Sequence, residues 1–249
     1  MFHLAGFYGS IAASQTNIIL PACQDGAFTL QNQRLIMPQR MQIRRTYLMG
    51  SGITEGRIVV PSMRTITYPR IHPVDKSAAP ANDPAIVRLD DRGPTMLQTE
   101  GLGLEITTDA TAGPLTAIGL LWLYPGYREA ISGQCYTLKA TASVAGAVGV
   151  WQAGSMTLEN DLPAGEYELI GADARGTNLA ALRFRFPGQP LLPGIVCEQA
   201  AGEFLTDHQR MGNMGSFGRF TNTQVPTIEV LGLGATTTQD IYLDLIKVG

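Results

Sequence analysis

Two tandem eight-stranded jelly-roll β-sandwiches, an all-β architecture, are expected of this 249-residue chain on three observations. The first is an internal duplication. Leu102-Gly103-Leu104-Glu105-Ile106-Thr107-Thr108 returns as Leu231-Gly232-Leu233-Gly234-Ala235-Thr236-Thr237, and Thr29-Leu30-Gln31-Asn32 returns as Thr157-Leu158-Glu159-Asn160, with Pro38 and Pro163 following. Ile58-Val59-Val60-Pro61 matches Phe184-Arg185-Phe186-Pro187, and the run Ile118 to Leu123 matches Ile241 to Ile246. The matches are collinear at spacings of 123 to 129 positions. A duplicated domain explains that, whereas a solenoid needs shorter periods and more copies. The second observation is period-two alternation, clearest in Tyr167-Glu168-Leu169-Ile170, Leu182-Arg183-Phe184-Arg185-Phe186 and Ile241-Tyr242-Leu243-Asp244-Leu245. Charged residues at the alternate positions describe sheets with one buried and one wetter face. The third is that 28 glycines and 15 prolines are scattered so as to punctuate short β-rich runs, while helical signal is weak throughout.

Taken in order, residues 1–20 read as an N-terminal arm. Its start, Met1-Phe2-His3-Leu4-Ala5-Gly6-Phe7-Tyr8, lacks the positive charge of a secretory signal and suits docking onto something apolar. The first sandwich occupies 21–126 and the second 127–249, divided at the turn-like Pro125-Gly126-Tyr127. Strands are expected in the first half near 18–20, 27–30, 42–48, 57–60, 64–68, 86–89, 102–107 and 115–123. In the second half they fall near 136–143, 148–152, 155–158, 165–172, 179–186, 195–198, 227–232 and 240–248. Each is a short apolar or alternating run bounded by turn residues. The run Ile118-Gly119-Leu120-Leu121-Trp122-Leu123 barely alternates, which predicts burial on both faces. Two irregular stretches, Ile71 to Pro84 with Pro73, Pro80 and Pro84, and Gly202 to Met211 with a short helix, are placed as Greek-key crossovers.

Composition narrows the function. Hydrophobic residues make up 45% of the chain and charged residues 16%, a charge-poor surface that partners would cover. A net charge of −3 provides no basic field for a phosphate backbone, so direct nucleic-acid binding is not expected. No apolar stretch is long enough to span a bilayer. Cys23, Cys135 and Cys197 are odd in number and far apart, and no Asn-x-Ser/Thr sequon occurs, which suggests free thiols in reducing surroundings.

Chemistry-bearing motifs are weak. His3, His72 and His208 lack ligand-spaced neighbours. The Gly-x-Ser-x-Gly elbow is absent. Gly212, Gly215 and Gly218, around Ser216 and Phe217, lack the lysine of a phosphate loop and read as a mobile or tightly turned surface loop. Gly101-Leu102-Gly103 has Ile106 where a dinucleotide fingerprint needs its third glycine. Asn82, Asp83, Asp90 and Asp91 offer the oxygen ligands calcium prefers, or a solvated turn. Arg34, Arg40, Arg44 and Arg45 form a basic run suited either to carboxylates across a subunit interface or to an exposed face of no special role. Trp122 and Trp151 lie in apolar runs and read as core. No catalytic, cofactor or metal residue is nominated, and the chain is expected not to be an enzyme.

In its duplication, size and poverty of charge the chain resembles the double jelly-roll major capsid proteins of icosahedral, membrane-containing bacterial viruses, such as corticoviruses and small lipid-containing phages of flavobacteria. The resemblance implies a homotrimer whose six jelly rolls imitate a hexagon. Its partners would be neighbouring capsomers, other capsid proteins such as a vertex protein, and an internal lipid membrane touched by the arm at residues 1–8. It also implies residence in the virion after synthesis in the host cytoplasm, with no cofactor. Two other classes frame the reading. One is a ligand-binding β-sandwich pair, such as a carbohydrate-binding module or phage tail component. The other is a bicupin-like enzyme, which would need a cluster of metal-binding histidines.

Overall fold

Alternation in the sequence becomes short antiparallel strands, and the described residues contain no α-helix. The computed structural model describes residues 1–63, 70–71, 87–89, 93–110, 115–125, 133, 135–197, 209–236 and 238–248. The protein is an all-β double jelly roll made of two compact units. One comprises Ala5–Gly126 and the other Tyr127–Gly249 together with Met1–Leu4.

The first unit is built from β1 (His3–Ile11, whose first two residues belong to the other unit), β2 (Ile18–Leu20), β3 (Thr29–Gln31), β4 (Arg34–Ile36), β5 (Met41–Gly50), β6 (Ile53–Val59), β7 (Arg70–Ile71), β8 (Val87–Arg88), β9 (Thr95–Met96), β10 (Gly101–Thr108) and β11 (Leu115–Tyr124). One sheet runs β1-β11-β5-β8, with β9 also on β5, and the other runs β3-β4-β10-β6-β7, with β2 beside β10. The second unit is built from β12 (Cys135–Ala142), β13 (Trp151–Gly154), β14 (Met156–Leu158), β15 (Glu166–Arg175), β16 (Leu179–Arg185), β17 (Gly194–Val196), β18 (Gly218–Thr221), β19 (Thr227–Gly232) and β20 (Gln239–Lys247). Its sheets run β14-β12-β20-β15-β18 and β13-β19-β16-β17. Setting aside β3, β4, β9 and β14, both units obey one rule: the first, eighth, third and sixth strands share one sheet, and the second, seventh, fourth and fifth share the other. That order is the double Greek key of a jelly roll.

Among the described residues each unit has eight jelly-roll strands, but not the eight expected. Residues 3–11, read as part of an arm, are β1, the first jelly-roll strand, and Phe2, Leu4, Ala5 and Phe7 are fully buried. A strand covered on both faces has no alternation, so it reads like an apolar tail. The sixth strand of the second unit, β18, was passed over because four residues beginning at Gly218 carry too little pattern. The hairpin arm near 27–30 and the strand near 155–158 took the two vacant places in the count, yet they are β3 and β14, added at sheet edges. The strand expected at 64–68, the connection after Ile71 and residues 202–208 of the expected helix lie outside the described residues.

The duplication is real in register, with one adjustment. On β10 and β6, Glu105 faces Arg57 and Leu104 faces Ile58; on β19 and β16, Glu229 faces Arg183 and Ile228 faces Phe184. Likewise Ile118 faces Met49 and Leu120 faces Tyr47 on β11 and β5, as Ile241 faces Ala174 and Leu243 faces Ala172 on β20 and β15. The matches beginning at Ile58/Phe184 and Ile118/Ile241 therefore sit on equivalent strands. The Leu102/Leu231 match also falls on equivalent strands but out of register, because Leu102 lies at the start of β10 whereas Leu231 lies near the end of β19. The equivalent triplets are Leu104-Glu105-Ile106 and Ile228-Glu229-Val230.

Both cores are tight. Ile118, Leu120, Leu121, Trp122 and Leu123 are all fully buried. Gly119 lets β11 approach the facing sheet, since a Cβ there would lie 2.2 Å from Leu104 Cδ2. In the second unit Phe184, Phe186, Phe217, Phe220 and Tyr167 form an aromatic cluster, into which Phe2 sets its ring edge-on against Phe217 at 4.8 Å. The backbone holds Phe2 there: the Leu4 N–H donates to the Leu192 carbonyl, and the Leu192 N–H donates to His3 Nδ1 at 3.1 Å.

Candidate functional site

Among the described residues, two deeply set clusters of ionisable groups lie on the outer faces of the sheets, where the sequence pattern suggests solvent. In the second unit Arg183 donates from Nε to Glu229 Oε2 at 2.6 Å, and its Nη2 lies 2.5 Å from the same oxygen. Arg185 takes the other carboxylate oxygen. The Arg183 guanidinium also stacks 4.2 Å from the centre of the Trp151 ring and donates from Nη1 to the Leu4 carbonyl. In the first unit Arg57 meets Glu105 Oε2 through the same two nitrogens, at 2.7 and 2.5 Å. The two pairs differ in burial: Arg183 is 1% exposed and Arg57 33%.

A second cluster covers the outer face of β20. Asp244 accepts a two-pronged guanidinium contact from Arg210 at 2.6 and 2.7 Å, the Met211 N–H at 2.9 Å and the Thr137 hydroxyl at 2.8 Å. Burial by itself would raise this carboxyl's pKa. The hydrogen bonds from Arg210, Met211 and Thr137 outweigh burial and hold it below the ordinary carboxylate range. Gly171 makes the room, because a Cβ there would fall 2.6 Å from Asp244 Oδ2 and 2.7 Å from the Met211 nitrogen. Beside the cluster, Cys135 Sγ lies 3.4 Å from Met211 Sδ. Burial, then the negative Asp244, push the Cys135 thiol up against the opposing pull of Arg210 and the Leu245 backbone. A thiol tuned this way stays protonated and is a poor nucleophile. These groups hold the segment from Gln209 to Phe217 against the sheet, and the Gly212-Gly215-Gly218 series is that docked segment.

The residues singled out from sequence are not brought together. His3 is buried and, by accepting at Nδ1, carries its proton on Nε2. His72, His208, Asn82, Asp83, Asp90 and Asp91 lie outside the described residues. The arginine run is split: Arg40 is exposed, Arg34 packs along Gly101 and Gly103, and Arg44 and Arg45 are buried, with Arg44 over the Tyr124 ring at 5.0 Å. Burial of Arg44 and Arg45 removes them from any exposed basic face. Trp122 and Trp151 are both buried, as expected of core. Among the described residues no group of three His, Cys, Asp or Glu is placed to hold a metal, and no helix is long and apolar enough to cross a membrane. An open groove of about 470 Å³ beside β1 and β2 is lined by uncharged residues including Ser10, Gln15, Ile18 and Gln33. Sequence reading missed Asp244 because its place in an alternating strand looks solvent-facing; Gly171 and the later glycine series were the only signs of a covering segment.

Comparison with known proteins adds one likeness. The chain is similar to the crystal structure of the major capsid protein P2 from Bacteriophage PM2, at 12% identity and a TM-score of 0.24, over 100% of this chain and 98% of that one. No family model and no curated protein matches.

Proposed function

We propose that this protein is a structural viral coat component, a major capsid protein that self-associates as homotrimers and tiles an icosahedral shell. The observation that carries the reading is the tandem itself: two sandwiches of one strand order, in one chain, sharing the Arg–Glu register of Arg57–Glu105 and Arg183–Glu229. Three such chains supply six similar sandwiches, enough to imitate a hexagonal tile. Two deeply set carboxylates, Glu229 and Asp244, are engaged by arginines, and the partly exposed Cys135 is held protonated. Those features favour a load-carrying role over catalysis. The partners in this reading are neighbouring capsomers and other capsid proteins such as a vertex protein, and the protein resides in the virion after synthesis in the host cytoplasm. Phe2, Leu4 and Phe7 are occupied within the chain's own fold, so an internal membrane would be met by other surfaces than residues 1–8.

The test is light scattering with negative-stain microscopy on the purified chain. The expected result is a mass of three 26.7 kDa chains and a hexagonal outline. A monomer at every concentration overturns the reading and turns attention to ligand binding, although neither tryptophan offers an exposed platform for a sugar.

A further inference from the structure

We infer that copies of this chain join head to tail through two sheet edges, β3 of one copy pairing antiparallel with β14 of the next. The inference rests on the self-association proposed above and names its interface. The strands β3 and β14 are the additions outside the two jelly-roll sets that end a sheet: β3 ends β3-β4-β10-β6-β7, and β14 ends β14-β12-β20-β15-β18. Both lie in the connection between the second and third jelly-roll strands of their units, and both carry the repeated sequence Thr-Leu followed by Gln-Asn or Glu-Asn. In one unit that connection closes on one sheet, and in the other unit on the opposite sheet. The two edges are therefore alike in sequence but different in place, as a heterologous contact requires.

Register shows which peptide groups are free. Gln31 faces Arg34 across the two-residue turn Asn32-Gln33, whose φ values of 48° and 64° mark a hairpin turn of the primed type. In such a hairpin the flanking pair, and with it Thr29, bonds inward, which turns the N–H and C=O of Leu30 to the open edge. On β14 the Glu159 N–H donates to the Lys139 carbonyl at 2.9 Å. By the same alternation Thr157 bonds inward to β12, and Leu158 presents its peptide groups outward. The repeated leucine thus occupies the free-edge position in both strands. Neither strand has a charge, a proline or a bulge, the devices that protect edges from pairing. All of β3 is exposed, with Leu30 at 43%. Among the other described sheet ends β1 and β17 are largely buried, β7, β8 and β18 each carry an arginine, and β13, though uncharged, lacks the Thr-Leu repeat. A β3-to-β14 contact leaves one edge of each type at the ends of any open chain of copies, so it closes only as a ring.

Cysteine pairing tests the contact. Facing residues on adjacent antiparallel strands have Cα atoms about 5.5 Å apart, within disulfide range. In a Cys135→Ser background, chains carrying Leu30→Cys are mixed with chains carrying Leu158→Cys, oxidised, and run under non-reducing conditions. A crosslinked pair that forms only in the mixture is expected. A Leu30→Pro variant, which removes the outward donor and keeps the inward ladder, is expected to weaken association by roughly tenfold or more with the tryptophan emission of both units unchanged. Unmodified protein that oligomerises while the mixture gives no crosslink overturns the edge contact and leaves self-association standing. Equal crosslinking of Leu30→Cys chains alone overturns it in favour of a symmetric edge. Unmodified protein that stays monomeric overturns both.

Discussion

Arg183 and Glu229 face each other on β16 and β19 at the register position that Arg57 and Glu105 hold on β6 and β10, through the same guanidinium nitrogens and the same carboxylate oxygen. One pair is closed off from water by Trp151 and Leu4, and the other remains partly open. Removing one partner of a buried pair strands the other charge, at a cost of about 3–5 kcal/mol, whereas an exposed pair contributes about 0–1 kcal/mol. Glu229→Gln is therefore expected to lower the urea midpoint of the second unit strongly, and Glu105→Gln to change the first unit little. Trp122 and Trp151 fall one in each unit, so single-tryptophan variants read the two transitions separately by fluorescence. Equal losses would show that burial does not distinguish the pairs.

Acid should act on the second unit through Asp244. Its folded pKa is depressed, so its contribution is fully present above the unfolded value of about 4 and is lost as pH falls through the lower folded value. Chemical denaturation from pH 6 to pH 2 is expected to show a decline in second-unit stability beginning below about pH 4. Asp244→Asn should flatten that decline while costing stability at neutral pH, because Arg210 loses the carboxylate that accepts its two-pronged contact. An unchanged acid slope in the variant would remove Asp244 from the account.

Cys135 is the most exposed of the three cysteines, yet its raised pKa leaves little thiolate at neutral pH. Alkylation of the folded protein at pH 7.5 is expected to be slower at Cys135 than in an unstructured peptide, and Arg210→Ala should slow it further by removing a cation that pulls the thiol pKa down. Faster labelling in that variant would mean that access governs the rate.

Gly119→Ala places a methyl group 2.2 Å from Leu104 Cδ2 at the centre of the first sandwich. Overpacking of this kind costs about 1–3 kcal/mol. The loss should appear in the Trp122 transition alone, as read by urea unfolding.

Phe2→Ala should act far from its place in the sequence. The ring is fully buried against Phe217, and truncating a buried phenylalanine costs about 3–5 kcal/mol. The Trp151 transition is expected to shift and the Trp122 transition to move less; the reverse order would place Phe2 in the wrong core.

How much of this was legible in the sequence depended on whether a residue's neighbours were local. Alternation located β15, β16 and β20, where charged residues alternate with apolar ones. Phe2 to Phe7 carried no period, since strands buried on both sides look like any apolar run, and β1 was read as an arm. Glu229 and Asp244 sat at positions that alternation assigns to water. What covers them, Leu4 and the segment at Arg210 and Met211, arrives from distant parts of the chain that no periodicity announces. The duplication is visible in sequence, but the shared glycines of Leu102-Gly103-Leu104 and Leu231-Gly232-Leu233 align the strands out of register, whereas the Glu105/Glu229 equivalence gives the true one. The repeated Thr-Leu motif was seen as evidence of duplication only, because strand edges cannot be read from one strand at a time.

The placement of Met1–Leu4 in the second unit gives the chain a particular order of maturation. Phe2 and Phe217 come from nearly opposite ends of the sequence, so the second sandwich closes its aromatic core only after the whole intervening polypeptide exists. Contacts of such separation are slow to form. Until then Phe217, Phe184 and their neighbours are unsealed, the condition in which partly folded chains stick to one another. Expression at low temperature or with chaperone support should raise soluble yield more for this protein than for its first sandwich, and a piece starting at Tyr127 would lack a wall of its own core.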